Sequence, residues 1–256
     1  MPLLEIKDLS IRFGGLQAVK NYNLTMNPGD IRGLIGPNGA GKTTVFNMMT
    51  GILTPTEGQV LLNNWSIEGF QPYQIAARGI GRTFQNLCLW RHMTVLEHVK
   101  MACYSKITYG LFGAFFGGAR RKREETQMTN KAMDLLALVG LDQFADQLVG
   151  NLPYGAQRRM EIARALATDP KILLLDEPTA GMNPEELDQI MQIIRLVHGE
   201  YKMAILLIEH RLKFVMELCE RIQALVFGEV IAEGEPEEIR NHPQVIEAYL
   251  GKEIEY

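Results

Sequence analysis

The chain has 256 residues, of which 46% are hydrophobic and 22% charged, and it carries a net charge of −4. That length fits one large domain or a domain with an insertion, in the composition range of ordinary globular proteins. The acidic balance speaks against broad nucleic-acid binding, and three widely spaced cysteines (Cys88, Cys103, Cys219) argue against a disulfide framework and fit a reducing cytoplasm.

The N-terminal MPLLEIKDLS has neither a basic nor an apolar signal region, so no secretory signal is expected. LEIKDLSIRF (4–13) alternates polar and apolar residues and runs into Gly14-Gly15, and NPGD (27–30) reads as a second turn. With EGQVLLNN (57–64), these segments predict an antiparallel sheet at the edge of an α/β core. IRGLI (31–35), KILLL (171–175) and AILLI (204–208) are short continuous apolar runs separated by helix-length segments, the pattern of a parallel sheet covered on both faces. They end in Gly36, in Asp176, and in Glu209-His210, at the carboxyl ends of strands, where such sheets bind ligands.

Between 87 and 165 the pattern turns helical. Met128, Ala132, Leu135, Leu136 and Val139 recur at helical spacing before Gly140, which predicts a helical subdomain inserted into the core. The expected division is 1–86 and 166–230 for the two parts of the core, 87–165 for the insertion and 231–256 for a C-terminal extension. The least polar stretch, YGLFGAFFGGA (109–119), has eleven residues, too few for the roughly 20 of a membrane span. Its Tyr109, Phe112, Phe115 and Phe116 fit either a hairpin tip packed on its own subdomain or an apolar surface turned to a membrane partner. ARRKREE beside it reads as a solvated helix face.

GPNGAGKTT (Gly36, Pro37, Asn38, Gly39, Ala40, Gly41, Lys42, Thr43, Thr44) fits GxxxxGK[ST], following a strand and opening a helix. The glycines let backbone N–H groups turn inward around phosphates, and the helix N-terminus adds positive potential. Lys42 supplies a point charge to the terminal phosphates, and the Thr43 hydroxyl is placed to ligate Mg²⁺. In ILLLDEPTAG (172–181), Asp176 is the second candidate for Mg²⁺ and Glu177 the candidate general base for an attacking water. Thr179 and Asn183 could equally cap the helix of NPEELDQIMQII.

Gln85, His210 and NLPYGAQRRMEIARALA (151–167) acquire weight from their order along the chain: phosphate loop, Gln, helix-opening loop, Asp-Glu, His. In this order the chain resembles ABC-transporter ATP-binding subunits over its whole length. FGGLQAV, GIGRTFQN, GLFGAFFGGARRKREE, PTAGMNP and IAEGEPEEIR…VIEAYLG resemble the branched-chain amino-acid importers among them. The resemblance implies a P-loop ATPase core binding ATP and Mg²⁺. Phe13 would stack on adenine, Gln85 would sense the γ-phosphate and ligate Mg²⁺, and His210 would contact the γ-phosphate. Tyr154 and Gly155 would face a second subunit's ATP, and Asn183 would lie at the dimer interface.

Leu152 to Ala156 align with the family's LSGGQ. Pro153 and Ala156 thus replace a hydroxyl and an amide, and a weakened contact to the second ATP is expected, leaving the Gly155 N–H and the helix end. Part of the segment carrying Leu87, Leu89, Trp90 and Met93 is expected to line a groove for a permease helix, with Trp90 as its anchor; the alternative for Trp90 is burial in the helical subdomain. The resemblance further implies integral-membrane permease subunits, a second ATPase subunit, an indirect periplasmic or lipoprotein solute-binding protein, no nucleic acid, and a cytoplasmic place on the inner membrane face. The expected function is ATP hydrolysis coupled to import of branched-chain or related amino acids. The alternatives are a lipopolysaccharide or lipid exporter, an importer of another solute such as urea, and a soluble regulator.

Overall fold

The computed structural model describes residues 1–85, 87, 89–104 and 118–250. Strands β1 (Leu4–Phe13) and β2 (Leu16–Met26) form a hairpin, and β4 (Glu57–Leu62) and β5 (Trp65–Ser66) extend it into an antiparallel sheet of order β2-β1-β4-β5. The second sheet adds β3 (Ile31–Ile35), β6 (Ile80–Arg82), β7 (Ile172–Asp176), β8 (Ala204–Ile208), β9 (Arg221–Val226) and β10 (Glu229–Gly234), in the order β10-β9-β3-β8-β7-β6. It is parallel from β6 to β9, and β10 closes it as an antiparallel edge.

The apolar runs form central strands because both their faces are covered. On β7 and β8, Leu173, Leu175, Ile205 and Leu207 enter one core. The alternate residues Ile172, Leu174, Leu206 and Ile208 enter the other, following the two-residue period of a strand. The second core lies between the two sheets and includes Val45, Phe46 and Met49 of helix α1 (Lys42–Met49). The first lies under the remaining long helices.

These are α3 (Val95–Cys103), α4 (Gly118–Leu138), α5 (Tyr154–Leu166) and α6 (Pro184–Tyr201), with the short α2 (Pro72–Arg78) and α7 (Leu212–Leu218) beside the sheet. Met128, Ala132, Leu135, Leu136 and Val139 are buried together, and Gly140 (φ 66°) ends that helix as the pattern predicts. The chain closes with α8 (Pro236–Arg240) and α9 (Pro243–Leu250). β10 spans the position where the C-terminal extension was expected to begin, so residues 231–234 complete the core sheet.

Cys103 and Cys219 are buried free thiols, and burial raises both above the ordinary thiol range. Cys88 and the aromatic residues of 109–117 lie outside the described residues. Among the described residues, no helix is long and apolar enough to cross a membrane.

Candidate functional site

Parallel pairing brings the ends of β3, β7 and β8 to one edge of the sheet, with Asp176 level with Ile208. The phosphate loop leaves β3 there. A Cβ on Gly36 would meet the Leu225 carbonyl oxygen at 2.0 Å, and one on Gly41 would meet that of Ala18 at 2.6 Å, so only glycine fits between these backbones. Ala40 bonds back to the Pro37 carbonyl, while Asn38 and Gly39 stand exposed at the crest. Helix α1 has no side-chain cap and no acidic residue in its first turn, which leaves its orphan N–H groups directed at the loop. Lys42 is buried, and its Nζ donates to the carbonyls of Gly36 (2.7 Å) and Pro37 (2.9 Å). Thr43 is exposed and Thr44 half-buried.

Glu177 is held from two sides. The Gln85 amide donates to its Oε2 at 2.9 Å, and His210 Nε2 lies 2.6 Å from its Oε1. A carboxylate can only accept, so this geometry puts the imidazole proton on Nε2. The Glu177 backbone is left-handed (φ 48°), at an expense of about 1 kcal/mol for a residue with a side chain, and its N–H bonds to the Ile208 carbonyl. The fold thus brings together Gln85, Glu177 and His210, residues far apart in the chain.

Asp176 ends β7 fully buried. Burial raises its carboxyl above the usual range, and the hydrogen bond and charge of Arg82, together with the charge of Lys42, oppose that rise. Its Oδ2 accepts from Arg82 at 2.8 Å, whereas Oδ1 is buried without a hydrogen-bond partner. An orphaned carboxylate oxygen beside Lys42 fits the hydration shell of a hard divalent cation, with Thr43 and Gln85 as the further oxygen donors expected from the sequence. Among the described residues, no three His, Cys, Asp or Glu side chains form a metal cage.

The remaining expected residues sit around this centre. Phe13 is 48% exposed at the end of β1. Its hairpin is tied to the phosphate loop through Gly228, whose carbonyl accepts from Lys20 and whose N–H donates to Ala40. Tyr154 and Gly155 group with Glu186, Gly181 and Arg158 rather than with the phosphate loop. Asn183 accepts from Glu186 N–H, capping α6. Thr179 is fully buried, with both its N–H and its hydroxyl on Glu209.

One expectation needs correcting. Ala156 is 5% exposed and packed into the main core, so its Cβ points into the protein and an amide there would start from the interior. Its identity therefore does not mark the loss of a free phosphate ligand. Neighbouring Gln157 turns back and donates to the Leu152 carbonyl at 2.8 Å.

Motif spacing passes over three residues that order the site. Arg82 joins Asp176 to Asn47 Oδ1 (2.8 Å) and Thr50 Oγ1 (3.1 Å) at the end of α1. Arg158 donates to the carbonyls of Phe84 and Gln85 and to the Tyr154 hydroxyl, fixing the segment that carries the Gln85 side chain. Glu209 accepts from the backbone of Thr179, His210 and Arg211, locking two loops together. The signal available was a charge inside an apolar segment, as with Arg158 and Glu161 on α5. Beside Gln85 opens an apolar groove of about 400 Å³ lined by Ile52, Tyr73, Phe84, Trp90, Met101 and Arg164. Trp90 is 57% exposed there, with its backbone N–H donating to His98 Nε2, so it is not a core residue of the described structure.

The ABC transporter family profile matches residues 19–180, and that of the branched-chain amino acid ATP-binding cassette transporter matches 229–255. The chain is 45% identical over 251 residues to the high-affinity branched-chain amino acid transport ATP-binding protein LivG of Escherichia coli K12, covering 98% of each. Its fold is similar to the ADP conformation of MJ1267, an ATP-binding cassette of an ABC transporter (TM-score 0.85, 31% identity, 98% of this chain and 99% of that one). It is also similar to the dimeric structure of MJ0796, a bacterial ABC transporter cassette (TM-score 0.77, 28% identity, 91% and 98%).

Proposed function

The chain belongs to the ABC transporter family, and from that premise we propose that it is the ATP-hydrolysing subunit of a branched-chain amino-acid importer. The observation that carries the catalytic reading is the two-sided hold on Glu177 by Gln85 and His210 beside the phosphate loop. Glu177 accepts the proton of the attacking water, and His210 and Gln85 aim its carboxylate. Lys42 leaves its carbonyl partners for the terminal phosphates, while the N–H groups of the loop and of α1 receive the remaining phosphate charge. A Mg²⁺ held near Thr43, Gln85 and Asp176 would neutralise charge between the terminal phosphates. Phe13 offers its exposed ring to the adenine.

Tyr154 and Gly155 serve the ATP of a second ATPase subunit, and Asn183 lies where the two subunits meet. The groove bearing Trp90 receives a cytoplasmic helix of the membrane permease, which keeps the chain on the inner membrane face. The groove opens where the helical region meets the core, with Ile52, Tyr73 and Phe84 on one side and Trp90, Met101 and Arg164 on the other. A solute-binding protein completes the importer without touching this chain. The solute follows from the similarity to LivG and from the C-terminal match. The test is reconstitution with its permease partners: ATP-driven uptake of leucine, isoleucine and valine is expected, with Trp90→Ala abolishing uptake while the isolated chain keeps its ATPase activity. Uptake of none of the three would overturn the importer assignment.

A further inference from the structure

Gly36 has an unusual partner. It stands one residue beyond the point where β3 pairs with β9 at Ile35 and Ala224, so its N–H lies past that ladder. Buried backbone donors need partners. The acceptor comes from 213 positions away: the Tyr249 hydroxyl, in the last turn of α9, accepts from Gly36 N–H at 2.9 Å. Both polar groups of Gly36 are thereby engaged, since its carbonyl accepts from Lys42 at 2.7 Å. The Leu225 carbonyl, against which no Cβ fits, closes off its third side.

Helix α9 is not clamped there by dense packing alone. A cavity of about 600 Å³, lined in part by Leu212, Met216, Ile239, Val245 and Tyr249, lies beside it. The Tyr249 ring packs on the rim of the main core while its hydroxyl reaches the root of the phosphate loop.

We propose that Tyr249 is a positioning residue for nucleotide binding, acting through Gly36: the C-terminal helix latches the entry of the phosphate loop. The loop's N–H groups bind phosphate only if their directions are fixed beforehand, and Gly36 is where the loop leaves the rigid sheet. Lys42 must exchange the Gly36 carbonyl for phosphate, and the latch holds that carbonyl's residue in place while it does. The C-terminal segment would then tune ATP affinity without touching ATP. This inference rests on the reading of residues 36–44 as the ATP site.

The test uses the full chain and two variants. Tyr249→Phe keeps the ring and removes only the acceptor. Val245→Ala weakens the packing of the same helix, where Val245 is buried, without touching Gly36. The readouts are the Kd for MgATP by calorimetry, the thermal midpoint, and KM against kcat. Tyr249→Phe is expected to weaken MgATP binding about fivefold, the scale of one hydrogen bond, and to raise KM by a similar factor at nearly unchanged kcat. Val245→Ala is expected to lower the thermal midpoint and leave the Kd within twofold. An unchanged Kd in Tyr249→Phe overturns the latch, and so does an equal loss of affinity in Val245→Ala, which would reduce Tyr249 to packing. Failure of the wild-type chain to bind MgATP overturns the ATP-site reading itself.

Discussion

Replacing Arg82 with methionine removes one partner of a buried ion pair and leaves the other in place. The side chains of Arg82 and Asp176 are 6% and 1% exposed, and their charged atoms are 2.8 Å apart. Removing one member of such a pair destabilises by about 3–5 kcal/mol, because the remaining charge stays buried without compensation. Asp176 would answer partly by taking up a proton, since burial already raises its carboxyl. The bonds to Asn47 and Thr50 go at the same time, which adds about 1 kcal/mol. An Arg82→Lys chain keeps the charge but cannot reach Asp176, Asn47 and Thr50 together, so an intermediate loss is expected. Urea unfolding with EDTA and without nucleotide, run on both variants, gives the numbers. A loss below about 1 kcal/mol for Arg82→Met would refute the claim that this pair ties β6, α1 and Asp176 together.

Two further predictions concern buried residues of the helical region. Ala156→Gln is expected to destabilise the fold by about 1–3 kcal/mol through overpacking. It should not raise turnover at a second subunit's site; a stable variant with faster turnover would restore the ligand reading. His98 is fully buried, and its pKa is lowered to about 4, chiefly by burial and then by the charge of Arg164. Between that value and the unfolded value of about 6.5, only the unfolded chain holds the proton, so stability is lost as pH falls through this window by up to about 1.4 kcal/mol per unit. His98→Gln should flatten the slope between pH 6 and pH 4.5 in denaturation curves, and an unchanged slope would assign it to other groups.

Much of the core was legible because its strands are covered on both faces, which makes runs such as ILLLD and AILLI continuous. β6 was not, since three residues inside GIGRTFQN carry no period. β9 and β10 mix Arg221, Gln223, Glu229 and Glu233 into an edge pair, which blunts the apolar signal. In the site, phosphate-loop chemistry follows from local sequence, because a glycine loop before a helix N-terminus acts through its own backbone. The hold on Glu177 and the reach of Arg82, Arg158 and Tyr249 depend on side chains meeting across the fold, which no spacing encodes. Ala156 shows the remaining gap: alignment gave its position in the loop, but the phase of α5 decides which way its side chain points.

The central claim is that Glu177, aimed by Gln85 and His210, is the base for ATP hydrolysis. Steady-state phosphate release and MgATP binding, measured on the same preparation of Glu177→Gln, test it most directly. The account predicts retained binding with turnover lower by about 10²–10⁴-fold, and binding with near-normal turnover would contradict it.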